Sequence, residues 1–510
     1  MSFPRASGIL LHPTSLPGAY GVGDLGAEAE AFADFLAGAG QTLWQVLPLG
    51  PTGYGDSPYQ CFSAFAGNTL LVSPERLAED NLLDKSDLES LPRFAADRVE
   101  YGEAIKLKDV LLRRAFDNFE RASSARLRED FAAFEKREAA WLEDYALFRA
   151  LKNARGGKSW NEWETALARR EPTALADARE RLRAETTAQK FFQFLFFRQW
   201  AALKEYCRAR RVRIIGDVPI FVAYDSADVW VNRHLFKLEE DGRPRVVAGV
   251  PPDYFSATGQ LWGNPIYDWD AKKREVIDWW IGRVRSSLRL FDILRVDHFR
   301  GFAASWEVPA RDATAVGGRW VEAPGAELFA AVRRELHEPA IIAEDLGVIT
   351  PDVDALRDAC GFPGMRILQF AFGGDAANRD LPHNYQPNVV VYTGTHDNDT
   401  TVGWFNAGTG RGSTRDAAQV EHERKFCLDY LNSDGAEINW DFIRAALASV
   451  ADTAIIPLQD VLGLGGDARM NLPASTAGNW DWRFRHGELT TETRVRLRRL
   501  TELYGRVPQT

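Results

Sequence analysis

The chain has 510 residues, 45% hydrophobic and 26% charged, and is long enough for one large domain or several smaller ones. Its net charge of −10 disfavours a nucleic-acid partner, because phosphate backbones are bound by basic surfaces. The first apolar run is broken at His12 and Pro13, so we expect no signal peptide, and no apolar run is long enough to span a bilayer. We therefore expect a cytoplasmic protein without a membrane partner.

The first part of the chain alternates between strand and helix patterns. Apolar runs beginning at Gly8 and Thr42 predict two strands with an amphipathic helix between them. A glycine-rich loop, 50–57, follows the second strand. From 74 to 210 the pattern is helical and rich in charge, with no convincing strand. We predict that 74–210 is a mainly helical insertion between strands two and three.

The strand pattern resumes at Val212 and is followed by the stretch 246–270, which is rich in Gly, Pro and aromatic residues. A stretch of this length without periodicity is typical of a functional or disordered loop, and its aromatic content argues against disorder. We therefore predict an aromatic active-site loop at 246–270. The remaining predicted strands begin at Asp292, Ala340, Met365, Val389 and Thr453.

Eight strands separated by helices predict a (β/α)8 TIM barrel that takes in the whole chain, 1–510. The alternative is a doubly wound open sheet. The first predicted strand is not followed by Gly-x-Gly-x-x-Gly, and the chain contains no phosphate loop ending in Gly-Lys-Ser or Gly-Lys-Thr. The sequence therefore favours the barrel.

Polar residues occur where the predicted strands end. Strand C-termini form the active site of a barrel, so residues far apart in sequence would converge there. Two carboxylates on either side of one bond suit glycoside chemistry, in which one attacks the anomeric carbon and the other protonates the leaving oxygen. The strand-end residues are His12, Asp217, Arg295, Asp297, Glu344, Gln369, His396, Asp397 and Asp460.

Arg295 and Asp297 are two residues apart on a predicted strand, so their side chains share one face. A guanidinium there would favour the ionised carboxylate and fix its rotamer, as a carboxylate nucleophile requires. A purely structural ion pair at the end of the strand is the alternative interpretation. A third carboxylate beside the acid would raise the pKa of the acid by like-charge repulsion, and Asp397 is the candidate.

The sequence gives little support for metal or Schiff-base chemistry. His298 and His396 each adjoin an Asp, but no His-x-x-x-His pattern occurs, and the four cysteines lack zinc-like spacing. No predicted strand ends in a Lys that could form a Schiff base. We therefore expect no metal and no organic cofactor.

Several short segments carry a family resemblance. Gly216-Asp217-Val218-Pro219, Arg295-Val296-Asp297-His298, Ala343-Glu344-Asp345 and His396-Asp397 resemble the four characteristic regions of the α-amylase clan of glycoside hydrolases. Longer segments resemble, more specifically, the amylomaltases, the 4-α-glucanotransferases of glycoside hydrolase family 77. They are 10–16, 50–59, 250–255, 394–400, 469–471 and 479–480, so the resemblance covers nearly the whole chain.

The resemblance implies a retaining transferase that acts on α-1,4-glucans and maltooligosaccharides. It implies no C-terminal β-sandwich, in agreement with the short segment 461–510 that follows the last predicted strand. Asp297 would be the nucleophile, Glu344 the acid/base and Asp397 the transition-state stabiliser. The residues implied in substrate binding are Tyr59, Asp217, Tyr254, Phe255, Gln260, Trp262, Arg295, His298, Phe370, His396 and Asn471.

The resemblance also implies a second glucan site at Tyr54 and Tyr101, for which a plain contact at the rim is the alternative. Two other functions remain open. A hydrolytic amylase would use the same three carboxylates, although the aromatic stretch favours a sugar acceptor over water. A non-catalytic glucan-binding protein would be expected to lack one of the three. We expect a monomer or weak dimer.

Overall fold

Eight parallel strands form a nearly closed barrel in the computed structural model, which describes residues 3–89, 91–252, 258–408, 416–473, 475 and 477–507. A smaller, antiparallel sheet accompanies the barrel. The strands of the barrel and of this second sheet are, in chain order, β1 (Ala6–Leu10), β2 (Leu43–Gln45), β3 (Arg213–Val218), β4 (Val246–Val250), β5 (Gln260–Pro265), β6 (Ile293–Val296), β7 (Ala304–Pro309), β8 (Arg319–Glu322), β9 (Ile341–Ala343), β10 (Gly364–Ile367), β11 (Val389–Tyr392) and β12 (Thr453–Pro457).

The barrel has the strand order β10-β11-β12-β1-β2-β3-β6-β9, and neighbours in this order are parallel. The two ends of this order meet where the Ala343 N–H donates to the Pro363 carbonyl at 2.9 Å. The predicted (β/α)8 fold is confirmed, and each predicted strand begins within two residues of a barrel strand.

Helices surround the barrel. In the part of the chain that the structure describes, none is long and apolar enough to cross a membrane. The helices are α1 (Ala27–Gly38), α2 (Pro74–Glu79), α3 (Tyr101–Ala122), α4 (Ala125–Ala154), α5 (Thr165–Ala168), α6 (Pro172–Arg181), α7 (Arg183–Ala209), α8 (Ala227–Val231), α9 (Trp269–Leu290), α10 (Gly325–Leu336), α11 (Pro351–Cys360), α12 (Thr401–Asn406), α13 (Ala417–Leu431), α14 (Ile438–Ala448), α15 (Leu458–Leu462) and α16 (Thr491–Leu503).

Helices α2 to α7 lie between β2 and β3, in the stretch predicted as a helical insertion. The last of them, α7, packs against both β3 and α1 and therefore takes the position of a barrel helix. After β12 the described residues form α15 and α16 and no strand of either sheet.

A second sheet is antiparallel, with the order β5-β4-β7-β8. Two of its strands, β4 and β5, lie in the stretch 246–270, so the prediction of a loop over that whole stretch is wrong. The prediction failed because β4 and β5 each contain a glycine, and prolines follow β4 and end β5, so the local composition is that of a loop. Residues 253–257 are outside the described part of the chain.

The barrel strands are buried on both faces, as expected of parallel strands covered by helices. In β1, β6, β11 and β12 every residue is buried. Each fully buried Ile or Leu contributes about 1.5–3 kcal/mol by its removal from water. Polar groups at the C-terminal strand ends stand out against this apolar interior and mark the candidate site.

Candidate active site

A buried arginine links two carboxylates at the ends of β3 and β6. Arg295 Nη1 lies 2.6 Å from Asp217 Oδ2 and 3.0 Å from Asp297 Oδ1. Burial acts to lower the pKa of Arg295, but the charges of Asp217 and Asp297 outweigh it and raise the pKa. The guanidinium therefore remains charged and orients both carboxylates. The spacing of Arg295 and Asp297 predicted their contact; it did not reveal that Asp217 shares the same guanidinium, although Asp217 faces Arg295 in the strand register.

Glu344 follows β9, and backbone donors hold both of its oxygens. Its Oε2 accepts a hydrogen bond from the His298 N–H at 2.7 Å, and its Oε1 accepts one from the Leu346 N–H at 2.8 Å. His298 has a left-handed backbone with φ of 49°, a conformation that costs energy for a residue other than glycine. Because His298 directly follows Asp297, its N–H connects the strand end of Asp297 to the side chain of Glu344.

Burial raises the pKa of Glu344 from 4.5 to about 8, and the charge of Asp297 adds to this rise. Arg295 and the two backbone N–H donors act in the opposite direction without cancelling it. The expectation that Asp397 supplies this shift is therefore wrong, because the main sources are burial and Asp297. Glu344 is protonated at neutral pH, as a general acid must be.

Asp397 follows β11 at a more open position, with 48% of its side chain exposed. Its Oδ1 accepts a hydrogen bond from Asn471 Nδ2 at 2.6 Å and lies 3.4 Å from His396 Nε2. Arg469 Nη2 donates to the Asp397 backbone carbonyl at 2.6 Å. These contacts fix the carboxylate, although about half of its side chain remains exposed.

Three aromatic rings gather beside these carboxylates. Tyr59 stacks on His396 with ring centroids 5.2 Å apart and an interplanar angle of 17°. The Tyr59 hydroxyl donates to Asp217 Oδ2 at 2.7 Å. Trp480 lies against both rings, 5.8 Å from Tyr59 and 5.9 Å from His396. The predicted binding residues Tyr59, Asp217 and His396 therefore lie together.

The strand β5 contributes to the site through Trp262 and Gln260. The Trp262 ring lies 4.7 Å from the His298 ring at an angle of 81°, and Trp262 Nε1 donates to Gln260 Oε1 at 3.2 Å. Burial lowers the pKa of His298 to about 4, so this imidazole is neutral at pH 7. Phe370, in the turn after β10, is 38% exposed. Tyr254 and Phe255, also predicted here, lie outside the described residues.

Two of the strand-end residues, Asp460 and Gln369, hold neighbouring turns by hydrogen bonds, and a third, His12, is buried. Asp460 is buried and accepts hydrogen bonds from the hydroxyls of Thr393 and Thr401. Gln369 Nε2 donates to the Asp399 carbonyl at 2.8 Å. His12 is buried, and burial lowers its pKa to about 3. A polar residue at a strand end can thus hold a turn, as Asp460 and Gln369 do.

The two tyrosines of the predicted second glucan site differ in their surroundings. Tyr54 is 80% exposed, in a single helical turn within the glycine-rich loop 50–57. Tyr101 is half-buried, and its hydroxyl donates to the Trp480 carbonyl at 2.9 Å. A second glucan site at Tyr54 and Tyr101 therefore stays a prediction.

The sequence did not reveal a group of arginines next to Glu344. Asp345 is 1% exposed and accepts from Arg357 Nη1 at 2.5 Å, Arg379 Nη2 at 3.0 Å and the Met365 N–H at 2.6 Å. These partners lie 12 to 34 residues further along the chain, so no local pattern indicated them.

The chain is similar to known proteins over nearly its whole length. The family model described as 4-alpha-glucanotransferase matches residues 11–490. The 4-alpha-glucanotransferase of Thermus thermophilus is 53% identical over 515 residues, which cover 99% of this chain and 100% of the relative. That of Synechocystis sp. is 51% identical over 506 residues, 98% of each chain. The solved structure of amylomaltase from Streptococcus agalactiae in complex with acarbose superimposes with a TM-score of 0.93 at 40% identity, covering 99% of this chain and 100% of that one.

Proposed function

Since this chain belongs to the 4-alpha-glucanotransferase family, we propose that it transfers a segment of an α-1,4-glucan to the 4-hydroxyl of glucose or of another glucan, with retention at the anomeric carbon. The observation that carries the proposal is the pairing of unlike carboxyl groups at neighbouring strand ends. Asp297 lies 3.0 Å from a buried guanidinium, whereas Glu344 is buried and its pKa is raised to about 8.

In the first step the Asp297 carboxylate attacks the anomeric carbon, and Glu344 gives its proton to the glycosidic oxygen. The reducing-end part of the donor leaves with a new hydroxyl, and the remaining glucosyl segment is held as an ester on Asp297. Arg295, 3.0 Å from Asp297, orients the attacking carboxylate.

In the second step Glu344 acts as a base. The ester has removed the negative charge of Asp297, which contributes to the raised pKa of Glu344 in the free enzyme. The N–H groups of His298 and Leu346 also stabilise the Glu344 carboxylate. Glu344 takes the proton of an acceptor 4-hydroxyl, whose oxygen attacks the anomeric carbon and releases Asp297. When the acceptor is the far end of the same glucan, the product is cyclic.

The donor sugar is held by polar groups at the bottom of the cleft. Asp217 Oδ1 is buried and has no hydrogen-bond partner among the described residues, which makes it an acceptor for a sugar hydroxyl. Tyr59 and His396 provide ring surfaces beside it. Asp397, held by Asn471, stabilises the positive charge that develops on the sugar ring in the transition state.

Transfer has to compete with hydrolysis by water. Trp262 packs against His298, the residue next to the nucleophile, so an acceptor sugar bound there would lie close to the glucosyl ester. A bound acceptor reacts as part of a single complex and also displaces water from the cleft.

Incubation with maltotriose tests the proposal. We expect free glucose together with a ladder of longer maltooligosaccharides and no net gain of reducing ends. Reducing ends that rise in step with glucose would identify a hydrolase and overturn the transferase proposal. Glucan binding that is unchanged in Asp297→Ala, with no products from the wild type, would indicate a binding protein.

A further inference from the structure

Trp480 has a backbone conformation that is rare for so large a side chain. Its φ is 64°, in the left-handed region, and the residue is only 6% exposed. A bulky residue at positive φ is a genuine outlier and persists only where its surroundings determine it strongly. The contacts of Trp480 therefore need an explanation beyond the filling of a core.

In this conformation Trp480 is held at three points. Its N–H donates to the Met470 carbonyl at 2.7 Å, and its own carbonyl accepts from the Tyr101 hydroxyl at 2.9 Å. Its indole lies against the stacked rings of Tyr59 and His396, at 5.8 and 5.9 Å. The backbone is thus fixed from two sides, and the ring meets two residues of the proposed donor site.

Trp480 is also linked to Asp397 through the residues at the two ends of the segment 470–480. Asn479 Oδ1 accepts from the Leu472 N–H at 2.9 Å, next to the bond between Trp480 and Met470. These bonds join the two ends of the segment 470–480. Asn471, just inside this segment, donates to Asp397 Oδ1 at 2.6 Å. A shift of Trp480 would therefore move both the ring pair and the amide that holds Asp397.

We propose that Trp480 is a positioning residue for donor binding, which holds the Tyr59–His396 ring pair and the Asn471 amide in place, and that the Tyr101 hydroxyl fixes Trp480 in turn. This inference rests on the proposed glucanotransferase function and deepens it. Trp480 acts through Tyr59, His396 and Asn471, whereas the catalytic roles remain with the three carboxylates.

Trp482 offers a matched control. It lies two residues further on, is 7% exposed, and pairs through its backbone with Arg98. Trp480 is tilted against the ring pair, by 45° to Tyr59 and 36° to His396, whereas among the described residues Trp482 makes no ring contact with this pair. Loss of either indole removes a large buried side chain, so general packing effects on stability should be similar.

The test measures kcat and KM for maltotriose disproportionation, together with the melting temperature, in wild type, Trp480→Ala, Trp480→Phe and Trp482→Ala. We expect Trp480→Ala to lose about 100-fold in kcat/KM, the loss typical of a small misplacement of binding groups. Trp480→Phe should recover most of that loss. Trp482→Ala should have a lower melting temperature than wild type yet keep kcat/KM within about threefold of the wild-type value.

Tyr101→Phe removes the hydrogen bond to the Trp480 carbonyl without removing a ring. We expect a several-fold loss of kcat/KM in the wild-type background and no further loss in the Trp480→Ala background, because coupled residues are not additive. If Trp480→Ala folds poorly, Tyr101→Phe in the wild-type background carries the test, and an unchanged kcat/KM there would overturn the inference.

Equal losses of kcat/KM in Trp480→Ala and Trp482→Ala would overturn the inference, as would additive effects of Tyr101→Phe and Trp480→Ala. Absence of transfer in the wild type would instead refute the proposed function. The two failures are therefore distinguishable in one set of measurements.

Discussion

The raised pKa of Glu344 predicts a specific link between stability and pH. Its folded-state pKa is about 8, against 4.5 for an ordinary glutamate, so the folded protein keeps a proton that the unfolded chain loses. Stability from this group is fully present below pH 4.5 and is lost as pH rises toward 8. At about 1.4 kcal/mol per pH unit, the full loss is on the order of 5 kcal/mol.

Glu344→Gln removes this titration. The amide still accepts from one of the two N–H donors, His298 or Leu346, but turns its own NH₂ toward the other, which costs about 1–3 kcal/mol at every pH. We therefore expect the variant to be less stable than wild type at pH 4 and more stable near pH 8. The stability difference should change sign between these values.

Urea unfolding of both proteins at pH steps from 4 to 9 measures this difference. Glu129→Gln, an exposed change on α4, controls for the loss of a surface glutamate. In the wild type, kcat/KM should fall as pH rises through about 8, because the general acid must be protonated. A stability difference that is flat between pH 4.5 and 8 would refute the assignment of Glu344 as a buried, protonated acid.

Three substitutions test other parts of the site. Arg295→Met leaves Asp217 and Asp297 without their shared cation and should destabilise the fold by about 3–5 kcal/mol in urea unfolding. A loss below about 1 kcal/mol would contradict the claim that Arg295 holds both carboxylates. Asn471→Ala removes the 2.6 Å hydrogen bond to Asp397 and should lower kcat on maltotriose by about 10-fold or more, with an unchanged melting temperature. Trp262→Ala should raise the share of hydrolysis, measured as reducing ends per glucose released, and an unchanged ratio would argue against an acceptor site at this ring.

The barrel could be predicted because parallel strands buried on both faces appear in the sequence as short apolar runs, such as Val389–Tyr392. The polar residue after such a run then marks the C-terminal strand end. The antiparallel sheet could not be predicted in the same way, since β4 and β5 each contain a glycine and lie in a stretch rich in Gly and Pro.

The identity of the carboxylates was accessible from sequence, whereas their environment was not. The contact between Arg295 and Asp217 depends on the register of β3 with β6, and the arginines around Asp345 come from later elements. The source of the Glu344 pKa shift depends on burial, which a linear pattern does not measure. Likewise, nothing in the sequence around Trp480 indicates that its backbone is left-handed.

The central claim, a glucosyl ester on Asp297, is tested most directly with Glu344→Gln and α-maltotriosyl fluoride. Fluoride leaves without a proton from an acid, so the ester can form, while its transfer is slow because the base is missing. Mass spectrometry of the intact protein and of its peptides should then find one maltotriosyl group on the peptide that carries Asp297. Fluoride release without any adduct, or an adduct on another residue, would contradict the account.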